Sequence, residues 1–349
     1  MRKLTTMKPL ADPGVIRSLS FSRVRNIFRV QLSLAYSFLF RKYWLWGKPY
    51  ILTIEPTNRC NLKCPQCATG SGKISRAPAD MTFSTFQKII DELKNELCYI
   101  VLFNQGEPFL NGRLFDFIKY AKRHRMYVIS STNGHFLTEE ICRRTIASGL
   151  DQLIISLDGT DQQTYGKYRG GGNFKKVVNG IRNIVRIKDE MGARRPVISV
   201  QFLVIKHNAH QIPEIREMSR ELNVDRLLLK TVQVESNADG CEFVPSNNKL
   251  SRYERTGDRF ILQNPNRVFC SRLWTSATIL SNGAVVPCCF DKNGDFTMGV
   301  VNQHNNFTQI WSSEGYEKFR RNFTHRINAR RQHTIRICEN CTAGQKVYL

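Results

Sequence analysis

Between residues 50 and 235 the sequence alternates short runs rich in Val, Ile and Leu with longer stretches whose apolar residues recur every three or four positions. Residues 50–54, 99–103, 126–130, 152–157, 197–205 and 226–234 have the length and composition of strands. The stretches 83–97, 114–125, 138–148, 174–190 and 209–222 between them read as amphipathic helices. Parallel strands need a crossover of about this length, so the rhythm predicts an α/β fold, a partial (β/α)6 TIM-type barrel. Ligands bind such sheets at the C-terminal ends of the strands, and residues just past each strand are the candidates for chemistry.

The first strand is followed by Cys60-Asn61-Leu62-Lys63-Cys64-Pro65-Gln66-Cys67. Three thiolates on one short loop can hold three irons of a cubane 4Fe–4S cluster and leave the fourth open to a second molecule. The competing readings are a zinc knuckle or three unrelated core thiols. Structural zinc wants four ligands in spaced pairs, and no His or fourth Cys lies near enough in sequence to complete the set.

This C-x3-C-x2-C spacing after a first barrel strand resembles the signature of the radical S-adenosylmethionine (SAM) enzymes. The resemblance implies that the open iron is chelated by the amino and carboxylate groups of SAM. It implies that an electron from the cluster, delivered by an external donor such as flavodoxin or ferredoxin, yields a 5′-deoxyadenosyl radical that takes hydrogen from an unactivated carbon. Gly106-Glu107-Pro108, after the second strand, resembles the family's G-E-P motif, which holds the amino end of SAM. Asn133 at the third strand end, and Ser156 and Asp158 at the fourth, resemble the family's strand-end motifs; the second of these implies that Ser156 hydrogen-bonds a hydroxyl of the SAM ribose and that Asp158 either does the same or faces the substrate. Arg169, after Tyr168, matches an arginine that meets the SAM carboxylate, a role suited to a planar guanidinium. Leu203 or Val204 on the fifth strand is the implied adenine contact, and period-2 alternation alone leaves open which one points inward. Gln66 departs from the aromatic residue many members carry there.

Beyond residue 235 the rhythm stops, and 235–249, rich in Asn, Ser, Asp and Gly, reads as a linker. Cys270, Cys288-Cys289, Cys338 and Cys341 follow, together with a Gly283-x4-Cys288 element, a strand at 299–301 and a helix containing Trp311. This set resembles the SPASM/twitch extension of radical SAM enzymes, a small α+β Cys-rich domain that holds auxiliary iron–sulfur clusters. The number of cysteines implies one auxiliary 4Fe–4S cluster on Cys270, Cys288, Cys338 and Cys341, with zinc as the alternative occupant. Cys289 is left spare, because neighbours on a strand point to opposite faces. Cys98 and Cys142 read as packing residues, and Cys241 as a linker residue within reach of the barrel mouth.

The chain carries 52 Lys+Arg against 29 Asp+Glu, a net charge of +23, which calls for a polyanionic neighbour. Residues 1–50 hold ten Lys/Arg and one acid, Asp12, with Val24, Ile27, Phe28, Leu32, Ala35, Tyr36 and Leu39 at helical spacing. The longest uncharged run there, residues 30–40, is too short to cross a bilayer. Three readings stand: a helix on an anionic membrane surface, a helix across the barrel bottom with a solvated basic face, or an RNA-binding arm. Arg320, Arg321, His325, Arg326, Arg330, Arg331 and Arg336 form a second basic cluster, read as a solvated face or a docking site for anions.

The division expected is a basic helical segment at 1–48, the barrel at 49–235 and the auxiliary-cluster domain at 236–349. Free cysteines without a cleavable leader place the chain in the cytoplasm, with peripheral attachment to the inner face of the membrane as an extension. The function implied is hydrogen abstraction leading to oxidation or other modification of a sugar, a glycan or lipid precursor, or a peptide. The alternative is a non-catalytic zinc or Fe–S protein that binds nucleic acid through its basic surface, and such a module has no need of the strand-end motifs.

Overall fold

The computed structural model describes residues 12–263, 270–324, 335–339, 341 and 347–349. Two helices, α1 (Pro13–Arg17) and α2 (Phe21–Phe40), precede β1 (Ile51–Ile54). The barrel continues through α3 (Phe83–Leu93), β2 (Tyr99–Val101), α4 (Leu114–Arg123), β3 (Tyr127–Thr132), α5 (Glu139–Ala147) and β4 (Gln152–Ser156). It closes with α6 (Gln162–Tyr168), α7 (Phe174–Glu190), β5 (Val197–Val204), α8 (Ile212–Glu221) and β6 (Arg226–Thr231). Each of β1 to β6 pairs in parallel with the next.

The C-terminal region contains α9 (Asn237–Phe243), the hairpin β7 (Tyr253–Thr256) and β8 (Arg259–Leu262), and α10 (Arg272–Thr275). It goes on through β9 (Ser276–Ile279), β10 (Ala284–Val286), β11 (Gly299–Val300), α11 (Phe307–Trp311) and α12 (Glu314–Arg321). β9 joins the barrel sheet in parallel against β1, with Ile51 opposite Ser276, and β10 and β11 extend it antiparallel. At the other side, Thr231 N–H donates to Val347 O and Leu349 N–H to Leu229 O, both at 2.9 Å, so the chain's last residues cover β6. Both sides of the six-stranded unit are thereby paired, which removes the exposed edges an open sheet would present.

The alternating strand residues explain the layers. Leu52, Ile54, Val128, Leu153, Ile155, Val200 and Phe202 point outward against Phe86, Phe117 and Ile181 of the surrounding helices. On α7 the inward residues Val177, Ile181, Ile184 and Ile187 recur every three or four positions, and the Asn173 side chain caps the helix by accepting from Lys176 N–H at 2.9 Å. A second cluster, with Tyr50, Tyr99, Tyr127, Ile129 and Trp274, fills the lower barrel and meets Val15 and Val30 from α1 and α2. Asp12, ahead of α1, is held by Arg195 at 2.6 Å and Arg226 at 3.3 Å.

Two expectations are corrected. The supposed linker contains α9, because Ser236 and Asp239 form a reciprocal capping box and Phe243 is buried; residues that read as loop-formers serve as a helix start. Arg320 is no surface cation: it is fully buried, its guanidinium 4.0 Å from the Trp311 ring centre and 3.8 Å from that of Tyr316, and it donates to Leu273 O and Trp311 O. Arg321 pairs with Glu317 and Arg336 lies 3.7 Å from Asp295, while His325, Arg326, Arg330 and Arg331 fall outside the described residues.

Candidate active site

The cysteine loop leaves β1 at the C-terminal end of the sheet and is clamped by backbone from two other loops. Glu107 N–H donates to Arg59 O, and Lys63 N–H to Gly170 O, both at 2.8 Å. Close approach requires glycine at both contacts. A Cβ on Gly106, whose φ is +74°, would fall 2.5 Å from Thr57 O, and one on Gly170 would fall 2.7 Å from Lys63 O. The G-E-P glycine is therefore a packing necessity of the cysteine loop itself.

Glu55, the residue after β1, joins the site's parts and was not singled out from the sequence. Fully buried, it lies 2.9 Å from Arg76 Nη1 and accepts from Gln105 N–H at 3.3 Å and from Ser281 N–H at 3.1 Å. One carboxylate thus fixes the tail of the cysteine loop, the end of β2 and the C-terminal extension. Its only sequence signal is an acid at a strand's C-terminal end.

Glu107 is buried, and its two oxygens accept from Asn133 N–H at 2.7 Å and Phe109 N–H at 3.2 Å. Burial pushes its carboxyl up to about 7, with these backbone donors opposing the rise. Asn133 also donates to Asn61 Oδ1 at 2.8 Å, tying the third strand end to the cysteine loop. Ser156 is buried at the end of β4. Asp158 is fully buried and committed to protein partners: Arg169 Nε at 2.5 Å and Leu203 N–H at 2.7 Å. Asn208, also missed, braces the same corner by donating to Asp158 O at 3.0 Å and Leu203 O at 2.9 Å. Leu203 belongs to the cluster around the cysteine loop and Val204 to the outer core, which settles their orientation. Gln66 reaches Asp239 of α9 at 2.9 Å.

Cys64 is buried among Leu62, Tyr168, Leu203 and Phe243, with Cys60 and Cys67 packed at the margin. Burial raises the Cys60 thiol to about 11 and also raises that of Cys64, where the Arg169 charge works against the rise. Arg169 Nη1 lies 3.7 Å from Cys64 Sγ, and although burial opposes its charge, Asp158 and Cys64 hold its pKa well above the ordinary value. Among the described residues no three His, Cys, Asp or Glu side chains converge where a single ion would sit. The loop thiols are still close enough to repel one another's charge. That arrangement suits a cubane, in which each thiolate takes its own iron, and the Arg169 cation suits an assembly of net negative charge.

The second cysteine group is gathered around Arg272. Burial disfavours that guanidinium's charge, but Cys289, Cys341, Cys288 and Cys270 together raise its pKa, and its Nη1 lies 3.9 Å from Cys289 Sγ. Cys338 belongs with them electrostatically, its thiol raised to about 12 by burial and then by Cys341 and Cys270. β10 ends at Val286, so Cys288 and Cys289 stand in a turn. Strand alternation therefore does not separate them, and Cys289 stands beside Cys288 in the same turn. Cys98 and Cys142 are buried, whereas Cys241 is exposed.

Between the two cysteine groups opens a cleft of 470 Å³, bordered by Ala68 and Lys73 of the loop, Gln233 and Glu235 past β6, and Phe290 and Lys292 of the turn. Lys292 spans it to Glu235 at 3.1 Å.

The family model of the radical SAM superfamily matches residues 54–218, and that of the SPASM iron–sulfur cluster-binding domain matches residues 270–342. The chain belongs to the radical SAM superfamily and carries a SPASM domain after its barrel. The two domains imply its cofactors, a 4Fe–4S cluster with SAM at the barrel and auxiliary iron–sulfur in the SPASM domain. The tungsten-containing aldehyde ferredoxin oxidoreductase cofactor-modifying protein of Pyrococcus furiosus is 27% identical over 77% of this chain and 82% of its own length. The mycofactocin maturase MftC of Mycobacterium ulcerans is 33% identical over 49% of this chain, and the match spans only 44% of the maturase. In fold the chain is similar to Streptococcus suis SuiB bound to S-adenosylmethionine, with TM-score 0.62 at 14% identity, covering 91% of this chain and 75% of SuiB.

Proposed function

We propose that this protein cleaves SAM reductively and abstracts a hydrogen atom from a carbon of a peptide substrate, which leaves oxidised or cross-linked. Cys60, Cys64 and Cys67 would hold the cluster, which when bound supplies the single electron that splits a carbon–sulfur bond of SAM. The observation that carries the reading is the clamped loop, with three thiols packed against one apolar cluster and Arg169 at 3.7 Å from Cys64.

Beside that cluster, Arg169 is braced by Asp158 and offers its remaining N–H groups to a carboxylate. Glu107 holds the β2 and β3 loops together and offers spare lone pairs to an ammonium. Leu203 supplies an apolar surface for an adenine ring, and Ser156 a hydroxyl at the end of β4. Leu62, Tyr168 and Phe243 exclude water from the reacting atoms. Cys270, Cys338, Cys341 and the Cys288–Cys289 turn would hold the auxiliary cluster, which when bound would supply an acceptor for the electron left on the substrate radical.

A peptide is favoured by the cleft between the two groups, whose charged border of Lys73, Glu235, Asp291, Lys292, Asp295 and Arg336 suits alternating polar groups. A lipid chain would require apolar walls. The name of another relative, the PqqA peptide cyclase of Bradyrhizobium diazoefficiens, 29% identical over 54% of this chain and 48% of its own length, points the same way.

The test is anaerobic reconstitution with chemical reductant and assay of 5′-deoxyadenosine. The wild-type chain is expected to form it and the Cys64→Ala variant to give only background. Equal formation by both would remove the reading. Deuterium transfer from labelled candidate peptides into 5′-deoxyadenosine would then identify the carbon attacked.

A further inference from the structure

Helix α2 turns Arg23, Asn26, Ser33 and Ser37 inward beside Val30, Ile27 and Leu34, and leaves its largest apolar residues outside. The buried residues are Arg23, Asn26, Val30, Ser33 and Ser37. Arg23 donates to Ser18 O at 2.5 Å, His124 O at 2.6 Å and Lys94 O at 2.9 Å. Asn26 bonds the Lys48 backbone in both directions, at 2.9 and 3.0 Å, and Ser37 does the same with Trp44 at 3.1 Å. These contacts fix which face is outermost, because rolling the helix would strand a buried guanidinium.

The face left outside holds Phe21, Phe28, Leu39 and Phe40, which are 83%, 60%, 69% and 62% exposed, along with Val24, Leu32 and Tyr36. Covered helices of globular proteins show the opposite pattern, and a continuous apolar stripe of this length marks an interaction surface. Trp44 and Trp46 stack 5.5 Å apart at its end, with Arg29 over Trp46 at 5.1 Å. Arg17, Arg25, Arg29, Arg41 and Lys42 accompany the stripe, and residues 13–54 contain no Asp or Glu.

We propose that this face docks on an anionic phospholipid surface, with the helix lying in the plane of the bilayer and its apolar side chains at the headgroup boundary. Basic residues beside an apolar stripe, with tryptophans at its end, provide both terms of interfacial binding. No helix of the described residues is long and apolar enough to cross a membrane. A second copy of the chain is a poor occupant, since two-fold pairing would set this cationic face against itself.

The helix packs on the turns that precede β2 and β3, at the strands' N-terminal ends, whereas the cysteine loop and cleft lie at the opposite end. Docking therefore turns the mouth away from the bilayer. It fixes location and orientation and does not feed lipid into the site, so the helix gives no support to a lipid-linked substrate. The inference is independent of the reaction proposed above.

The test is flotation of the full chain with vesicles of phosphatidylcholine alone, or of phosphatidylethanolamine with phosphatidylglycerol. Binding is expected only to the anionic vesicles, weakened by salt and accompanied by a blue shift of tryptophan emission. Trp274 and Trp311 are already buried, so the shift reports Trp44 and Trp46. The triple variant Phe28→Ser/Leu32→Ser/Leu39→Ser should lose at least about tenfold in bound fraction, with circular dichroism and thermal midpoint unchanged. Failure of the wild type to float, equal binding to neutral vesicles, unchanged flotation of the triple variant, or a solution dimer that the triple variant breaks would each overturn the proposal.

Discussion

The two cysteine groups are organised in opposite ways. The first sits on one loop whose backbone is pinned by neighbouring barrel loops and whose charge environment is set by Arg169. The second is drawn from Cys270, the turn at Cys288–Cys289 and a short segment with Cys338 and Cys341, with Arg272 at its centre. A loop braced by the sheet keeps its shape whether or not metal is bound, whereas the short segment carrying Cys338, packed on the core beside Ile335 and Ile337, gains its link to the other cysteines from a shared metal. The difference assigns preorganisation to the first group and metal-dependent folding to the second.

The largest contrast expected comes from removing one thiol in each group. Cys64→Ala should abolish 5′-deoxyadenosine formation while leaving the melting temperature nearly unchanged. Cys338→Ala should retain SAM cleavage but lose auxiliary iron and expose the C-terminal region to protease. A fall in stability on Cys64→Ala equal to that on Cys338→Ala would erase the distinction.

Next in size is Glu55→Ala, which strands the buried charge of Arg76 and unties both groups at once. A loss of about 3–5 kcal/mol in urea unfolding is expected, with iron lost from both sites. Iron loss from one site alone would show that Glu55 does not join them.

Arg169→Lys keeps the charge but gives up the planar fork beside Asp158. SAM affinity, read by calorimetry on reconstituted protein, should fall about tenfold, equivalent to about 1.4 kcal/mol. The smallest effect bears on acid stability far from either group. Although burial works against it, Arg195 holds the Asp12 carboxyl at about 2, against an ordinary 3.8. A lowered folded pKa adds stability above the unfolded value, here on the order of 1 kcal/mol once solvent screening is allowed for, and that gain is lost as pH falls from about 4 to about 2. The stability gap between wild type and Asp12→Asn, measured on cluster-free protein, should therefore be wide at neutral pH and narrow in acid.

The six parallel strands were legible because apolar runs and amphipathic stretches alternate without interruption, and the strand-end motifs could be placed by that frame. What was not legible depends on partners remote in sequence. Residues 276–279 form a short run with no distinctive pattern, and only pairing with β1 makes them part of the sheet. The apolar residues of α2 have the spacing of a core-facing stripe, but Arg23 and Asn26 find carbonyl and amide partners beneath the barrel and take the inner face. Arg320 follows the same logic: buried carbonyls and two aromatic rings accept a charge that composition assigns to solvent. Asp158 resembles a ligand contact by motif, and the partners its oxygens take, Arg169 and Leu203 N–H, lie too far along the chain for that motif to reveal them.

The central claim is that the loop of Cys60, Cys64 and Cys67 leaves one iron open to SAM. It is tested most directly by electron paramagnetic resonance of reduced, oxygen-free Cys270→Ala/Cys338→Ala protein, whose signal comes from the N-terminal site alone. The account predicts a cluster spectrum whose g-values shift when SAM is added. A spectrum unchanged by SAM, while calorimetry shows SAM bound, would contradict it.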